Sequence, residues 1–331
     1  MNILVTGGAG YIGSAMTYDL MAQKYRVIVL DDLSRGHRRL VPKQAVFVKG
    51  DLKNISDCRK IFKKYKISAV MHFAASALVG ESVKNPLLYY ENNTAACVNL
   101  LKAMSEAKVN KLVFSSTCAT YGEPKKLPMD ESHPQDPANP YGRSKLAIEW
   151  MMRDLAAISN FSFIALRYFN AAGAHSSGLT GELHEPEAHL VPNILKAARD
   201  KKRKLVIFGS DFDTPDGTCV RDYIHIEDIT HAHILALKAL GHGSKNQAFN
   251  LGSGRGFSNL EILKMAEKVT GQKISYKIGP RRPGDPSRLI ADSSKAKKIL
   301  GWAPQRGLKE IIRSAWEWET TSPAASPSAP P

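Results

Sequence analysis

The chain has 331 residues, and its 46 lysines and arginines against 31 aspartates and glutamates give a formal net charge of +15. This length predicts about two domains, or one large α/β domain with an appendage, and it excludes a disulfide-dense miniprotein. A hydrophobic content of 43% is that of a folded globular protein. The charge alone leaves open a nucleic acid, a membrane surface, an anionic small molecule or an ordinary solvated surface.

The sequence carries few signals of targeting or of metal binding. Its cysteines are far apart and form no CxxC pair: Cys58, Cys97, Cys118 and Cys219. No histidine cluster at metal-ligand spacing is apparent either, so we predict no metal site. We also predict no disulfide scaffold, with reduced thiols in a cytoplasmic protein. We expect neither a signal peptide nor a membrane span. Residues 319–331, rich in proline, serine and alanine, are predicted to form a disordered tail.

The first half of the chain alternates short apolar runs with longer amphipathic ones. The runs favour strands buried on both faces, at Ile3–Thr6, Arg26–Asp31, Ala45–Lys49, Ala69–Phe73, Lys111–Ser115 and Ser162–Leu166. Helix-length segments separate most of them, which implies right-handed βαβ units. We predict an α/β fold whose residues 1–174 form a Rossmann-type, doubly wound parallel sheet.

Beyond residue 174 the alternation becomes irregular. Residues 175–192 are rich in glycine and proline and indicate a loop. Further predicted elements are a helix near Asn193–Lys201, a strand at Leu205–Phe208, a turn at Thr214–Thr218, and helices at Ile226–Leu240, Asn259–Thr270 and Leu308–Trp318. We expect residues 175–318 to form mainly a smaller, loop-rich substrate domain, with elements from 220–255 joining the first domain.

The strongest motif lies at the N-terminus. Strand Ile3–Thr6 runs directly into glycines at 7, 8, 10 and 13, followed by a helix-like segment. Such glycines allow a tight turn, a close approach of the backbone to a pyrophosphate, and close packing of helix on strand. Asp31 ends the next strand, where a carboxylate accepts hydrogen bonds from an adenosine ribose and repels a 2′-phosphate. The pattern favours NAD over NADP, although Arg35, Arg38 and Arg39 leave some tolerance of a 2′-phosphate open.

A second motif, Tyr141-x-x-x-Lys145, begins a helix-like segment. Residues four apart share one helix face, and a nearby cation lowers the pKa of a phenol, so this pair predicts a general base. An exposed tyrosine and lysine on a helix would show the same spacing. Thr117 follows strand Lys111–Ser115, at the edge where ligands bind in open α/β sheets, and we predict that it orients a substrate hydroxyl. A local turn hydrogen bond is the alternative role of Thr117.

Taken together, these motifs resemble the extended short-chain dehydrogenases/reductases. Further segments resemble the UDP-glucose 4-epimerase family within them, namely residues 79–82, 89–93, 166–174, 189–192, 213–218, 220–225 and 282–285. The resemblance extends over about residues 1–318. Thr117 is followed by Cys118 and Ala119, whereas the related 4,6-dehydratases and decarboxylases carry an acid there, so epimerisation is the reaction that the resemblance favours.

The resemblance also assigns site residues. It implies catalytic roles for Thr117, Tyr141 and Lys145. It implies NAD contacts for Gly7, Gly10, Tyr11, Ile12, Gly13, Asp31, Asp32, Asp51, Leu52, Phe73, Ala74, Asn92, Tyr141, Lys145 and Tyr168. It implies UDP-hexose contacts for Thr117, Tyr141, Asn170, His189, Leu190, Arg221, Arg282 and Asp285. Guanidinium groups suit a diphosphate, which supports the two arginines.

The implied reaction interconverts UDP-galactose and UDP-glucose through a transient 4-ketopyranose, with Tyr141 as base and enzyme-bound NAD as hydride carrier. Leu289 leaves the sugar pair open, because the family links a tyrosine there to exclusion of N-acetylated sugars and a smaller residue to their acceptance. UDP-N-acetylglucosamine and a UDP-pentose are the alternative substrates, and a non-catalytic NAD-binding sensor is the alternative function.

The resemblance further implies a homodimer, paired through helices near Tyr89–Ala107 and Tyr141–Ile158. No RNA-binding element, zinc finger or basic helix array accompanies the positive charge, so we predict no nucleic-acid partner and no membrane partner. Residues 1–100 and 251–300 carry most of the excess charge, and only Lys145, Arg221 and Arg282 have a direct role in the predicted chemistry. We interpret most of the excess positive charge as a solvated surface that steers anionic UDP-sugars modestly at low salt.

Overall fold

The computed structural model describes residues 1–244, 246–282 and 284–321. In chain order its strands are β1 (Asn2–Thr6), β2 (Arg26–Asp31), β3 (Val46–Lys49), β4 (Ile67–His72), β5 (Lys111–Thr117), β6 (Ser162–Tyr168), β7 (Asn170–Ala172), β8 (Leu205–Phe208), β9 (Val220–His225), β10 (Gln247–Leu251), β11 (Gly256–Ser258), β12 (Tyr276–Gly279) and β13 (Arg288–Leu289).

The α-helices are α1 (Tyr11–Ala22), α2 (Ile55–Lys64), α3 (Val79–Lys84), α4 (Pro86–Tyr89), α5 (Ala96–Glu106), α6 (Pro140–Ile158), α7 (Leu190–Arg199), α8 (Ile226–Gly241), α9 (Asn259–Thr270), α10 (Ser294–Leu300) and α11 (Leu308–Thr321). A π-helical segment, Tyr90–Ala95, joins α4 to α5, and 3₁₀ turns lie at Arg38–Leu40 and Cys118–Thr120. No helix in the described ranges is long and apolar enough to cross a membrane.

A seven-stranded parallel sheet forms the larger part of the molecule, in the order β10-β6-β5-β4-β1-β2-β3. Alternate residues of β1 are buried on opposite faces, because Ile3 and Val5 pack with the core that includes α1 and α8, and Leu4 packs with the core that includes α2, α5 and α6. The predicted doubly wound Rossmann-type fold is confirmed. Its strand order reverses between β1 and β4, where such sheets bind ligands.

The later elements divide between this sheet and a second region. Strand β10 extends the large sheet beside β6, and α8 packs on it. Strand β9 instead lies at the centre of a separate four-stranded sheet with β7, β11 and β13, and β8 pairs with β12. Helices α7, α9 and α11 enclose the core of this second region. The domain boundaries at 174 and 318 remain a prediction.

Two predicted elements need correction. The helix predicted at Asn193–Lys201 starts at Leu190, since Pro192 falls in its first turn, where no intrahelical N–H donor is required. The tail predicted to be disordered from residue 319 is helical through Thr321. Glu319 is buried and pairs with Arg199 at 2.9 Å, which holds the end of α11 on the second region. The rest of the predicted tail, 322–331, lies outside the described residues.

Candidate active site

The glycine-rich loop between β1 and α1 is shaped by contacts that a side chain would prevent. Gly7 has a φ of +71°, and a Cβ there would lie 2.5 Å from the backbone nitrogen of Ala74. A Cβ on Gly13 would lie 2.2 Å from the carbonyl oxygen of Gly7. At Gly10 the nearest atom would be that same oxygen, at 3.3 Å. The loop is therefore packed at Gly7 and Gly13 and more open at Gly10, as close approach of a phosphate requires.

Helix α1 begins directly behind this loop, with Gly10 as its N-cap residue and no acidic side chain in the first turn. The amides of Tyr11, Ile12 and Gly13 have no intrahelical acceptor, so the helix end presents N–H donors and a partial positive charge to an anion. The Tyr11 hydroxyl donates a 2.5 Å hydrogen bond to the carbonyl of Gly173, and burial raises the pKa of this phenol. Tyr11 thus ties the loop to the end of β7.

Asp31 closes the loop from the neighbouring strand. One carboxylate oxygen accepts from the Ala9 amide and the other from the Leu33 amide, both at 2.9 Å. Burial raises the pKa of Asp31, and the two amide hydrogen bonds oppose that shift by favouring the carboxylate. Two of the three arginines that could bind a 2′-phosphate contact other side chains instead. Arg35 pairs with Glu81 at 2.5 Å, and Arg38 stacks on Phe47.

The other predicted NAD residues follow the carboxyl ends of successive strands. Asp32 follows β2, Asp51 and Leu52 follow β3, Phe73 and Ala74 follow β4, and Tyr168 ends β6. Asn92 reaches this edge from the π-helical segment, where its side-chain amide donates to Ser76 Oγ at 3.0 Å. Because the strands are parallel, their carboxyl ends share one edge of the sheet.

The start of α6 brings Tyr141 next to Thr117. The side chain of Asn139 caps this helix by accepting from the Gly142 amide at 2.9 Å. Gly142 packs so closely on the turn after Thr117 that a Cβ would lie 2.3 Å from the Ala119 carbonyl oxygen. Thr117 Oγ1 accepts from the Ala119 amide at 3.1 Å, which is the local turn hydrogen bond considered above. Its hydroxyl proton can still be donated, so the local bond and a substrate contact are compatible.

Lys145 lies one helical turn beyond Tyr141 and is 2% exposed. Its ammonium donates to the carbonyl of Ser115 at 2.8 Å and lies 4.8 Å from the centroid of the Phe114 ring. Ser115 also hydrogen-bonds the Tyr168 hydroxyl through its own side chain. Ser115 therefore connects Lys145 with Tyr168. The sequence contained a signal for it, because Ser115 and Ser116 directly precede Thr117 in the same strand.

The pKa values of Tyr141 and Lys145 are shifted mainly by burial. Burial raises the pKa of Tyr141 well above that of a free phenol, Tyr168 raises it further, and the Thr117 hydroxyl lowers it. The expected lowering by Lys145 does not dominate, since the Lys145 ammonium is directed at Ser115. Burial also lowers the pKa of Lys145 to about 8. Burial therefore opposes the phenolate form of Tyr141, and a further positive charge close to the phenol would favour it.

Three of the predicted UDP contacts, Arg221, Arg282 and Asp285, are joined by hydrogen bonds. We call this part of the site the substrate side. Arg221, on β9, is 7% exposed and bonds one carboxylate oxygen of Asp285. Arg282 donates to the other oxygen at 3.0 Å, and its guanidinium lies over the Phe208 ring. Asp285 thus holds two guanidinium groups together, and the trio carries one net positive charge. Such an arrangement suits the two phosphates of a nucleotide sugar.

The remaining predicted substrate residues lie at element boundaries. Asn170 begins β7, His189 is the N-cap residue of α7, and Leu190 is the first residue of that helix. Burial lowers the pKa of His189, but Glu182 and Glu187 raise it more strongly, to about 10. Leu289 pairs with Arg221 across β13 and β9 and packs against a cluster that contains Cys118. The structure thus places Leu289 beside Arg221, one of the predicted UDP contacts.

Sequence reasoning overlooked several residues that shape the site. Asp222 accepts hydrogen bonds from the amides of Ser253, Gly254 and Ala291, which joins β9 to the segment after β13. Tyr89 packs edge-on against Tyr141, with ring centroids 6.3 Å apart. No local pattern marks these partners, because each contact joins residues distant in the sequence.

The residues at the sheet edge fit a bound NAD. The loop is closed to side chains at Gly7 and Gly13, as the dinucleotide-binding turn requires. Asp31 keeps its carboxylate at the end of β2, where it accepts hydrogen bonds and disfavours a 2′-phosphate. A dinucleotide loop and a Tyr–Lys pair that face the same edge of one parallel sheet define the class of short-chain dehydrogenases/reductases.

Comparison with known proteins gives the family. Residues 3–252 match the model of the NAD dependent epimerase/dehydratase family. A UDP-glucose 4-epimerase of Lacticaseibacillus casei is 51% identical over 324 residues, which are 98% of either chain. The chain therefore belongs to the NAD dependent epimerase/dehydratase family, and its similarity to the epimerase branch extends over nearly its whole length.

Solved structures agree with this assignment. A UDP-glucose 4-epimerase from Brucella ovis in complex with NAD has a TM-score of 0.92 and 45% identity, over 95% of this chain and 97% of that one. The enzyme from Bifidobacterium longum in complex with NAD+ and UDP has a TM-score of 0.93 and 38% identity, over 98% and 100% of the two chains.

Proposed function

We propose that this chain is an NAD-dependent 4-epimerase that interconverts UDP-galactose and UDP-glucose, in galactose metabolism and in the supply of UDP-galactose for glycans. The observation that carries the proposal is the packing of α6 on the end of β5, which brings Tyr141 to Thr117 beside the buried Lys145. The residues after Thr117 are Cys118 and Ala119. Neither offers the carboxyl group that elimination or decarboxylation uses.

NAD, when bound, supplies a hydride acceptor and donor for C4 of the sugar and a positive ring charge that favours the phenolate form of Tyr141. The chain itself moves the proton. Tyr141 removes the proton of the 4-hydroxyl group and later returns it, which is general base and then general acid catalysis. Thr117 orients the same hydroxyl, and Lys145 holds Ser115, at the end of β5, in place.

Inversion at C4 also requires that the transient 4-ketopyranose present both faces to the same reacting centre. The nucleotide must therefore stay anchored while the hexose turns. Arg221 and Arg282, held together by Asp285, support an anchor for the diphosphate. Asn170, His189 and Leu190 complete the proposed UDP-hexose contacts. Few charged groups are needed at the hexose itself, because strong contacts there would prevent its rotation.

Replacing Tyr141 with phenylalanine tests the proposal. The variant keeps the ring and loses the proton-transferring hydroxyl, so kcat for UDP-galactose should fall by about 10²–10⁴-fold. Tyr276→Phe removes a hydroxyl from the exposed strand β12 and serves as the matched control, with unchanged kcat. Purified protein is incubated with UDP-galactose without added NAD, and the 4-epimers are separated. Wild-type turnover by the Tyr141 variant would refute the assignment.

Leu289 favours a second candidate substrate pair, UDP-N-acetylglucosamine and its 4-epimer. A leucine occupies less space than a tyrosine, and Leu289 is half-buried beside Arg221, which supports acceptance of a larger substituent on the sugar. The same separation, run with the N-acetylated sugar and with a UDP-pentose, ranks the three substrate pairs. UDP-galactose should give the highest kcat/KM.

We further propose a cytoplasmic homodimer. The four cysteines, all within the described residues, are unpaired and buried, which supports a reducing compartment. Helices α5 and α6 present an apolar groove that includes Val98, Leu101, Met151 and Leu155, and Trp150 and Ile158 are exposed nearby. Light scattering should give twice the chain mass, and Met151→Lys should shift the protein to the monomer.

A further inference from the structure

The segment between β7 and α7 contains a cluster of four potential ligand side chains that the reaction does not explain. Glu182, His184, Glu187 and His189 follow one another as E-x-H-x-x-E-x-H, and one nitrogen or oxygen atom from each lies within 4.8 Å of the others. The prediction that the chain has no metal site was based on the spacing of the cysteines and on the absence of a histidine cluster at metal-ligand spacing, and it overlooked this segment.

The potential ligand atoms of the cluster lie close enough together to surround one cation. Glu182 Oε1 lies 3.1 Å from His184 Nδ1 and 2.6 Å from His189 Nδ1, and Glu187 Oε1 lies 3.2 Å from His189 Nδ1. Metal–ligand distances of about 2.0–2.2 Å in a tetrahedral zinc site separate neighbouring ligand atoms by roughly 3.4 Å. Two imidazole nitrogens and two carboxylates form a donor set that Zn²⁺ accepts.

Two of the four side chains have buried polar atoms without a hydrogen-bond partner. Glu187 is 2% exposed at its side chain, and its Oε2 atom accepts no hydrogen bond. Its nearest cations, Lys196 Nζ and His184 Nδ1, are both 4.0 Å away, beyond hydrogen-bonding distance. His189 Nδ1 is also buried and approaches Glu182 without the direction of a hydrogen bond. An unpaired buried carboxylate oxygen such as Glu187 Oε2 is costly, and a cation would satisfy it.

The backbone around the cluster is held by both parts of the molecule. His37, from the loop after β2, hydrogen-bonds the Leu183 carbonyl at 3.1 Å through Nε2. Trp318, on α11, donates from its indole N–H to the Glu182 carbonyl at 3.0 Å. An ion held by residues 182–189 would therefore tie the start of α7, with the predicted UDP contacts His189 and Leu190, to the Rossmann-type sheet and to α11.

We propose that Glu182, His184, Glu187 and His189 form a structural binding site for one divalent transition-metal ion, with Zn²⁺ as the best-fitting ion. Four protein ligands leave no open coordination position, so the ion does not take part in the epimerisation. Its role is to order the segment that leads into α7. This site is independent of the proposed function, because metal binding is measured without any UDP-sugar.

The test is a zinc titration of the full chain, freed of any affinity tag and dialysed against a chelator. We expect about one Zn²⁺ per chain by elemental analysis, together with a thermal midpoint that rises with zinc concentration because the ion binds the folded state. Co²⁺ in place of Zn²⁺ should give the intense visible absorption of a tetrahedral site. This spectrum of the wild-type protein requires no variant.

His184→Gln and Glu187→Gln remove one ligand each and should weaken zinc binding by about 100-fold or more, since loss even of a ligand's hydrogen-bond partner costs 10–100-fold. His231→Gln, on the exposed face of α8, is the matched control and should bind zinc as the wild type does. Circular dichroism confirms that each variant is folded. Much less than one zinc ion per wild-type chain, with no rise in the thermal midpoint, would overturn the proposal. The four side chains would then form an ion-pair cluster only. Wild-type stoichiometry in both ligand variants would also overturn the proposal.

Discussion

The cofactor side and the substrate side of the site are built in different ways. On the cofactor side, the loop Gly7–Gly13 and the carboxylate of Asp31 belong to two adjacent strands and one helix end, within 25 residues of sequence. On the substrate side, Arg221 reaches Asp285 across 64 residues, and Asp222 reaches Ala291 across 69. Backbone geometry shapes the first side, whereas charged side chains from distant segments form the second.

This difference predicts which substitutions each side of the site tolerates. A side chain added to the loop collides with backbone atoms that cannot move away without distorting the sheet edge. A side chain removed from the substrate side leaves the fold in place and unbalances the charges around Asp285. The predictions below rank the effects on ligand binding and selectivity from the largest expected to the smallest, and end with stability in acid.

Gly13→Ala should have the largest effect on the cofactor side. Its Cβ would lie 2.2 Å from the Gly7 carbonyl oxygen, so the loop must shift. Overpacking of this kind costs about 1–3 kcal/mol, and a comparable loss in NAD binding corresponds to roughly 10–100-fold. Gly80→Ala, on α3, is the matched control because nothing lies within 4 Å of its added Cβ. NAD retained after gel filtration measures the outcome, and equal retention by the two variants would contradict the proposed role of the loop.

Arg221→Gln tests the substrate side. It removes a buried guanidinium from Asp285, and hydrogen bonds to charged groups contribute about 1.5–3 kcal/mol, so KM for UDP-galactose should rise roughly 10–100-fold. NAD retention should not change, because Arg221 lies on β9, outside the large sheet. Arg26→Gln, at the exposed start of β2, is the control. Loss of NAD together with substrate affinity would show that the two sides are not separable.

Leu289→Tyr tests the selectivity of the substrate side. The larger ring would fill space beside the cluster that contains Cys118, so activity towards UDP-N-acetylglucosamine should fall relative to UDP-galactose. Discrimination by shape in an apolar pocket is worth about 1–3 kcal/mol, so we expect a change of at least roughly tenfold in the ratio of kcat/KM values. Leu289→Met, with similar volume, should leave the ratio near that of the wild type.

A last prediction concerns the free energy of unfolding in acid, on the cofactor side, rather than ligand binding. Burial lowers the pKa of His72 to about 3 and that of His233 to about 4. The pKa of a histidine in the unfolded chain is near 6.5. Below that pH, the unfolded chain binds protons at these two histidines, and the folded chain does not. The free energy of unfolding should therefore fall between pH 6.5 and 4, by about 1.4 kcal/mol per pH unit for each histidine.

Urea unfolding of His233→Leu at several pH values measures this contribution. The slope of stability against pH should become shallower, because one buried neutral imidazole is removed. His231→Gln changes an exposed histidine two residues earlier on the same helix and should keep the wild-type slope. An unchanged slope in His233→Leu would mean that this histidine is protonated in the folded protein.

The sequence alone determined the parts of this protein that depend on neighbouring residues. Apolar runs predicted the strands of the large sheet up to β6, and the glycines with Asp31 predicted its dinucleotide loop, because pleat, turn and helix-end geometry are local properties. The spacing of Tyr141 and Lys145 likewise placed both on one turn of α6. Chain order then implied a parallel sheet, since short helical connections leave little alternative.

Only the tertiary structure decided which distant residues meet. It separated β9 from the large sheet and joined β10 to it, turned the Lys145 ammonium towards Ser115, and extended α11 to Thr321. Burial and long-range pairing control these features, and burial also controls the pKa of Tyr141. Burial and long-range pairing depend on the whole packed chain. They therefore cannot be predicted from a stretch of neighbouring residues.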